Sequence, residues 1–197
     1  MNVKRTQVER SEATRAALVK AGRELFGERG YAAVGTEEIV ARAGVTRGAL
    51  YHQFADKRDL FRAVFIAVEE EVISRLGTEV VAKASTAAEA LSTTMGAWLD
   101  VCEEPDIQQI LLLDAPGVLG WEEWREIGQR YALGEAMALL EAAMDAGDLA
   151  RQPVRALAHV VIGALDEAAL YVAGAEDRTT ARAEMTGVLE RLIVGLR

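Results

Sequence analysis

Residues 36–57 read TEEIVARAGVTRGALYHQFADK, and this stretch decides how the rest of the chain is read. It contains two short helical segments on either side of a tight turn at Ala43-Gly44. Thr36 opens the first segment, where its hydroxyl is expected to cap free backbone N–H groups and Glu38 adds a carboxylate at the positive helix end. Thr46 is placed to cap the second, which spans Arg47 to Gln53 and ends near Phe54. Two short helices joined by a glycine-containing turn make the pattern of a helix-turn-helix, whose second helix lies in the major groove of DNA.

The second helix has two distinct sides. At about 100° per residue, Arg47, Gly48, Tyr51 and His52 share one arc. Ala49 and Leu50 fall on the other, toward Ile39, Val40 and Leu25. Packing alone explains a basic and aromatic outer face on so short a helix poorly. Gly48, near the helix N-terminus, lets the backbone approach a phosphate closely.

Helical spacing continues on both sides of the motif. Upstream, Ala13, Ala17, Leu18, Ala21, Leu25 and Phe26 form one apolar stripe, and Gly30 suits a left-handed C-terminal residue. Downstream, Ala55-Asp56 turns the chain into a longer helix carrying Leu60, Phe61, Val64, Phe65, Val68, Val72 and Leu76, with its end expected near Ala84. Ser85-Thr86 caps a helix to the region of Glu103, and Pro105 begins a short one to the region of Asp114. Pro116-Gly117 is expected to break the pattern before a long helix from Gly120 to Ala146. Two further helices are expected, from Pro153 to Gly174 and from Thr179 to Leu196. The expected fold is all-α with about nine helices, a three-helix head over residues 1–56 and a helical body over residues 57–197, residues 57–84 forming the connecting helix.

Composition fits that division. The chain has 197 residues, 51% of them hydrophobic, and a net charge of −9. Residues 1–60 carry 11 Lys and Arg against 8 Asp and Glu, whereas residues 61–197 carry 11 against 23. A locally positive head on an acidic body is compatible with phosphate binding. No run reaches the about 18 apolar residues of a membrane span, and the N-terminus is polar, so a cytoplasmic protein with no membrane partner is expected. With two histidines, His52 and His159, and one cysteine, Cys102, neither a metal site nor a nucleophile–base pair suggests itself. No cofactor and no enzymatic activity are expected, although a carboxylate-only site stays open as an alternative.

The chain resembles the TetR/AcrR (tetracycline-repressor-like) family of bacterial transcriptional regulators. The likeness rests on Phe26, Gly30, Tyr31, Thr36, Ile39, Ala43, Gly44, Val45, the run Gly48-Ala49-Leu50-Tyr51-His52-Gln53-Phe54, and Lys57, Leu60 and Phe61, and it covers residues 11–61. Residues 112–123, LLDAPGVLGWEE, are similar to one broad subgroup. The resemblance implies that Thr36, Thr46, Arg47, Tyr51, His52 and Lys57 contact double-stranded DNA, with the backbone at Gly48 beside a phosphate. Arg47 is the expected base reader and Lys57 a backbone contact. Lys4, Arg5 and Arg10 offer either an arm beside the groove or a solvated tail.

The resemblance further implies a repressor that binds a palindromic operator as a homodimer, joined through the last two helices, and is released by a small-molecule effector bound among the middle helices, whose aromatic and apolar lining calls for a small hydrophobic one. For the dimer interface these helices offer His159, Gly163, Glu167, Leu170, Met185, Leu189 and Leu192, and for the effector site Trp98, Cys102, Leu111, Tyr131 and Met137, with Trp121 and Trp124 at its rim. Asp166 and Glu167 stand in an apolar helix and call for partners, for which a backbone group, His159 or an arginine of the second subunit are expected, with a cationic ligand as the alternative. A regulator of the same fold without a small ligand is the alternative.

Overall fold

The computed structural model describes residues 7–196, among which there are nine helical segments and no strand. They are α1 (Gln7–Arg29), α2 (Thr36–Ala43), α3 (Arg47–Gln53), α4 (Lys57–Lys83), α5 (Ala87–Cys102), α6, α7 (Trp121–Ala146), α8 (Val154–Gly174) and α9 (Arg178–Val194). The α6 segment is a continuous run of Pro105–Ile107, the π-helical Gln108–Asp114 and Ala115–Leu119. The chain forms two compact units.

The first unit holds the chain up to Val68 together with Pro105–Trp121. Leu18 and Phe26 of α1, Ile39 of α2, Leu50 of α3, Leu60, Phe61, Val64 and Phe65 of α4 and Ile107 and Ile110 of α6 are all fully buried. The rings of Phe26, Tyr31 and Phe61 meet edge-on or tilted, with centroids 5.2–5.6 Å apart. Gly30 and Gly44 end α1 and α2 at φ +77° and +67°, a left-handed conformation that glycine adopts without strain. The resulting turn after α2 is tight, because Val45 N–H reaches back to Val40 O at 3.0 Å.

Two local expectations change. Gly35, not Thr36, is the last non-helical residue before α2, so the Thr36 hydroxyl already belongs to the first helical turn and caps nothing. The Glu38 carboxylate instead accepts a hydrogen bond from Gly35 N–H at 3.1 Å and also pairs with Arg29 at 2.8 Å. Both contacts hold the Glu38 carboxyl below its ordinary pKa, the Arg29 bond being the larger cause. Pro116 does not break the helix. It falls in the first turn of Ala115–Leu119, where a missing N–H costs nothing, and the chain turns only at Gly120.

Three polar clamps tie α6 to the rest of this unit. Arg23 donates to Asp106 through Nε (3.2 Å) and Nη2 (3.1 Å). Tyr31 N–H donates to Asp114 Oδ2 at 2.7 Å. Arg58 caps the end of α6 by donating to the carbonyls of Val118 (3.1 Å) and Leu119 (2.8 Å). The compact head therefore takes in α6 and the first part of α4, beyond the stretch of residues 1–56 expected from the motif.

The second unit holds Glu69–Glu104 and the chain from Glu122 onward. Its interior is built from Leu91, Met95, Trp98 and Leu99 of α5, Trp124, Ile127 and Leu140 of α7, Ala168, Ala169 and Val172 of α8, and Leu189 and Ile193 of α9. The helix α8 packs on α5 and α9, where small alanines permit close approach. It is long and apolar enough to cross a membrane by length and composition, yet it carries Asp166 and Glu167 in its middle. Thr86 and Asp177 cap α5 and α9 with their side chains.

Candidate nucleic-acid interface

The helix α3 is held from below and open above. Leu50 is fully buried and Ala49 half-buried, fixing the inner side against α1 and α2. The Thr46 hydroxyl accepts from Ala49 N–H at 3.2 Å and so caps α3, as its position in the sequence suggested. At the other end Gln53 Nε2 donates to Ser11 Oγ at 2.7 Å, while Arg15 donates to Gln53 O at 3.2 Å and lies 4.4 Å over the Phe54 ring. Both ends of a seven-residue helix are thereby anchored to its own unit.

Its outer side carries Thr46, Arg47, Gly48, Tyr51 and His52, all exposed, beside half-buried Thr36 of α2. Arg47 pairs with Glu37 Oε1 at 2.8 Å, and its guanidinium lies 5.6 Å from the Tyr51 ring centroid. Tyr51 and Glu37 both favour the charged form of Arg47. A Cβ placed on Gly48 would find nothing nearer than Thr46 Oγ1 at 3.9 Å, so nothing within the chain demands a glycine there. The open space above it admits an external group close to the backbone.

Lys57 behaves differently from the others. Its ammonium donates to Tyr31 O and Val34 O, both at 2.9 Å, and lies 3.9 Å from the Tyr31 ring centroid. Burial lowers its pKa, opposed by Asp114. Two of its three N–H bonds thus hold the α1–α2 turn, which the motif alone did not reveal. Lys4 and Arg5 lie outside the described residues, whereas Arg10 is exposed on α1.

The effector residues expected in the body fall in two groups. Leu111 and Trp121 belong to the first unit, with Leu111 buried and Trp121 exposed. Trp98, Cys102, Trp124, Tyr131 and Met137 belong to the second. Trp98, Cys102 and Trp124 are buried, and Trp98 Nε1 donates to Leu165 O at 3.1 Å. Tyr131 and Met137 are half-buried, and Tyr131 Oη donates to Glu70 Oε1 at 3.1 Å.

Sequence reasoning passed over Glu69. It is only 6% exposed, and both burial and the Asp166 charge push its carboxyl up to about 8. Asp166 is itself pushed up to about 6 by burial, with Arg125 opposing. Within the chain, Asp166 acts on Glu69 and Arg125 acts on Asp166, and Glu167 is exposed. On α8 and α9, His159, Gly163, Leu170 and Met185 are half-buried and Leu192 is 55% exposed, but Leu189 turns inward to the core. Val160, Tyr171 and Val188 extend the exposed apolar surface of these helices.

A capped, anchored recognition helix with a basic outer side defines a helix-turn-helix DNA-binding transcriptional regulator. Residues 18–64 match the family profile described as bacterial regulatory proteins, tetR family, and residues 88–196 match tetracyclin repressor-like, C-terminal domain. The chain belongs to the TetR family. It is 36% identical to a TetR-family transcriptional regulator from Pectobacterium atrosepticum, with a TM-score of 0.87 over 98% of this chain and 97% of that one. The HTH-type transcriptional repressor BepR of Brucella suis biovar 1 is 44% identical over 62 residues, 32% of this chain and 29% of that protein. The structure of RolR in complex with resorcinol shares the fold, with a TM-score of 0.72 and 22% identity over 92% of this chain and 90% of that one.

Proposed function

We propose that the protein is a homodimeric, cytoplasmic repressor that binds a palindromic operator and is released by a small effector held in its helical body. The observation that carries this reading is the exposed row Thr46, Arg47, Gly48, Tyr51 and His52 on a helix whose other side is locked into its unit. In this reading Arg47 reads a base edge, Thr36, Thr46, Tyr51 and His52 fix the register on phosphates, and the Gly48 backbone approaches one phosphate directly. Lys57 holds the turn and turns its remaining N–H to the backbone of the DNA.

One head covers too little DNA to be selective, and half-sites lie about 34 Å apart in a two-fold complex. The exposed apolar side chains Val160, Tyr171, Val188 and Leu192 support α8 and α9 as the dimer interface. The residues from 57 onward would bind effector and partner, and the chain would have no enzymatic activity. The RolR structure in complex with resorcinol supports a small-molecule effector, for which we take the second unit, with Trp98 and Cys102 in its interior, as the site. An effector releases DNA only by favouring a conformation that misplaces α3, whatever its affinity.

Selection of bound fragments from genomic DNA, followed by anisotropy titration of the enriched sequence, tests this function. A palindromic sequence bound by two chains is the expected result. Equal binding to all fragments would contradict it.

A further inference from the structure

Four helices bring polar groups to one place inside the second unit. Glu69 comes from α4, Cys102 from α5, Arg125 and Gly128 from α7, and Asp166 from α8. Their proximity shows in their mutual influence. Asp166 acts on Glu69 and on Cys102, Glu69 acts on Cys102, and Arg125 acts on Asp166. A Cβ on Gly128 would sit 3.6 Å from Glu69 Oε1, so the absence of a side chain there leaves room beside the carboxyl.

Glu69 is the exceptional member. It is 94% enclosed, being only 6% exposed, and it forms no hydrogen bond with any described residue. Yet among the described residues no sealed side-chain nitrogen or oxygen lacks a partner. The Glu69 oxygens are therefore not fully sealed by packing and keep some accessible surface. A buried carboxyl left without a partner is costly, and a group that supplies one binds favourably in proportion. The base nearby, Arg125, faces Asp166 and opposes its shift, whereas no base lowers Glu69.

We propose that Glu69 and Asp166 form the recognition point of an effector site for an amphipathic organic cation, an apolar body bearing one protonated or quaternary amine. This rests on the effector-controlled reading above and gives its ligand a chemical class. The cation sits between the two carboxyl groups and supplies the positive charge that Glu69 lacks. Trp98, one turn before Cys102 on α5, and Trp124, one turn before Gly128 on α7, share a helix face with residues of the cluster and are buried, which suits them to give a cation–π contact and apolar cover. The body of the chain, acidic overall, draws a cation rather than an anion toward this unit.

Binding has a proton signature. At pH 7 Glu69 holds its proton, since burial and Asp166 raise it to about 8, and a bound cation favours the ionised form. The Glu69 proton then passes to the buffer, up to about one per cation. The groups facing Glu69 that set this balance are Asp166 of α8, Cys102 of α5 and, through Asp166, Arg125 of α7.

The test uses the full chain and two probe pairs: tetraphenylphosphonium against the near-isosteric anion tetraphenylborate, and benzyltrimethylammonium against uncharged neopentylbenzene. Calorimetry in buffers of different ionisation enthalpy reads affinity and proton release, and Trp fluorescence reads occupancy. At least one cation should bind about tenfold or more tightly than its partner, with proton release at pH 7. E69Q and D166N should each weaken that cation about tenfold or more, and E69Q should abolish the proton release while melting no lower than wild type. Equal affinity within both pairs, no cation binding, or cation binding unchanged in both variants would overturn the site. Operator release is read separately. A cation that binds through Glu69 but leaves operator affinity unchanged upholds the site and refutes the inducer reading alone.

Discussion

Lys57 closes the turn before the recognition unit by donating to Tyr31 O and Val34 O at 2.9 Å each, with its ammonium 3.9 Å from the centroid of the Tyr31 ring. The same side chain is thus structural as well as placed just after the helix proposed to read DNA. Lys57→Ala should lower the unfolding free energy by about 1–3 kcal/mol, because two buried-side carbonyls lose a charged donor. It should also weaken operator and random DNA by the same factor, with a flatter salt dependence. Denaturant unfolding paired with anisotropy checks this. Unchanged stability with weakened binding would make Lys57 a phosphate contact only.

Glu69 and Asp166 give stability a pH dependence of definite sign. Their folded pKa values, about 8 and about 6, lie above the ordinary carboxylate values, so the folded chain binds more protons than the unfolded one between those limits. Stability therefore falls as pH rises from the ordinary carboxylate range through about 8, and levels off above it. In E69Q the part of the fall between pH 6 and pH 8 should flatten, raising stability at pH 8.5 by about 1 kcal/mol or more. Denaturant titrations of both chains from pH 5 to pH 9 check it, and parallel curves would contradict it.

The exposed and inward residues of α9 should respond in opposite ways. Leu192 is 55% exposed and Leu189 only 5%, although they are three residues apart. Leu192→Glu, and likewise Tyr171→Glu on α8, should convert a dimer to monomers in sedimentation while leaving each chain folded. Leu189→Ala should instead cost about 2–5 kcal/mol of unfolding free energy through the cavity it leaves. A wild-type monomer at micromolar concentration would contradict the two-fold arrangement.

The head was largely legible because its signals are local. Thr46 capping α3, Gly44 ending α2 and Leu50 turning inward all follow from spacing within a few residues. Thr36 lies one residue past the cap position, and helix spacing alone does not distinguish the last non-helical residue from the first helical one. The second bond of Tyr31, from its N–H to Asp114, spans 83 positions and leaves no periodic trace. Pro116 reads as a breaker, but it follows the π-helical stretch directly and falls in the first turn of Ala115–Leu119. Glu69 was hidden in the run Glu69-Glu70-Glu71, which looks like a solvated acidic face. Its spacing of four from Phe65 and three from Val72 puts it on the buried stripe, a signal that was present but outweighed by the charge.

In the proposed complex Arg47, on the exposed side of α3, reads the operator, held in place by Glu37 at 2.8 Å and the neighbouring Tyr51 ring. The direct measurement is fluorescence anisotropy of the selected operator, and of operators carrying each single base change, against wild type and Arg47→Ala. Arg47→Ala should lose about 1–3 kcal/mol of operator binding and lose discrimination at one base pair in each half-site, with random DNA bound nearly as before. Operator binding by Arg47→Ala as tight and as selective as that of wild type would contradict the assignment of α3 as the recognition helix.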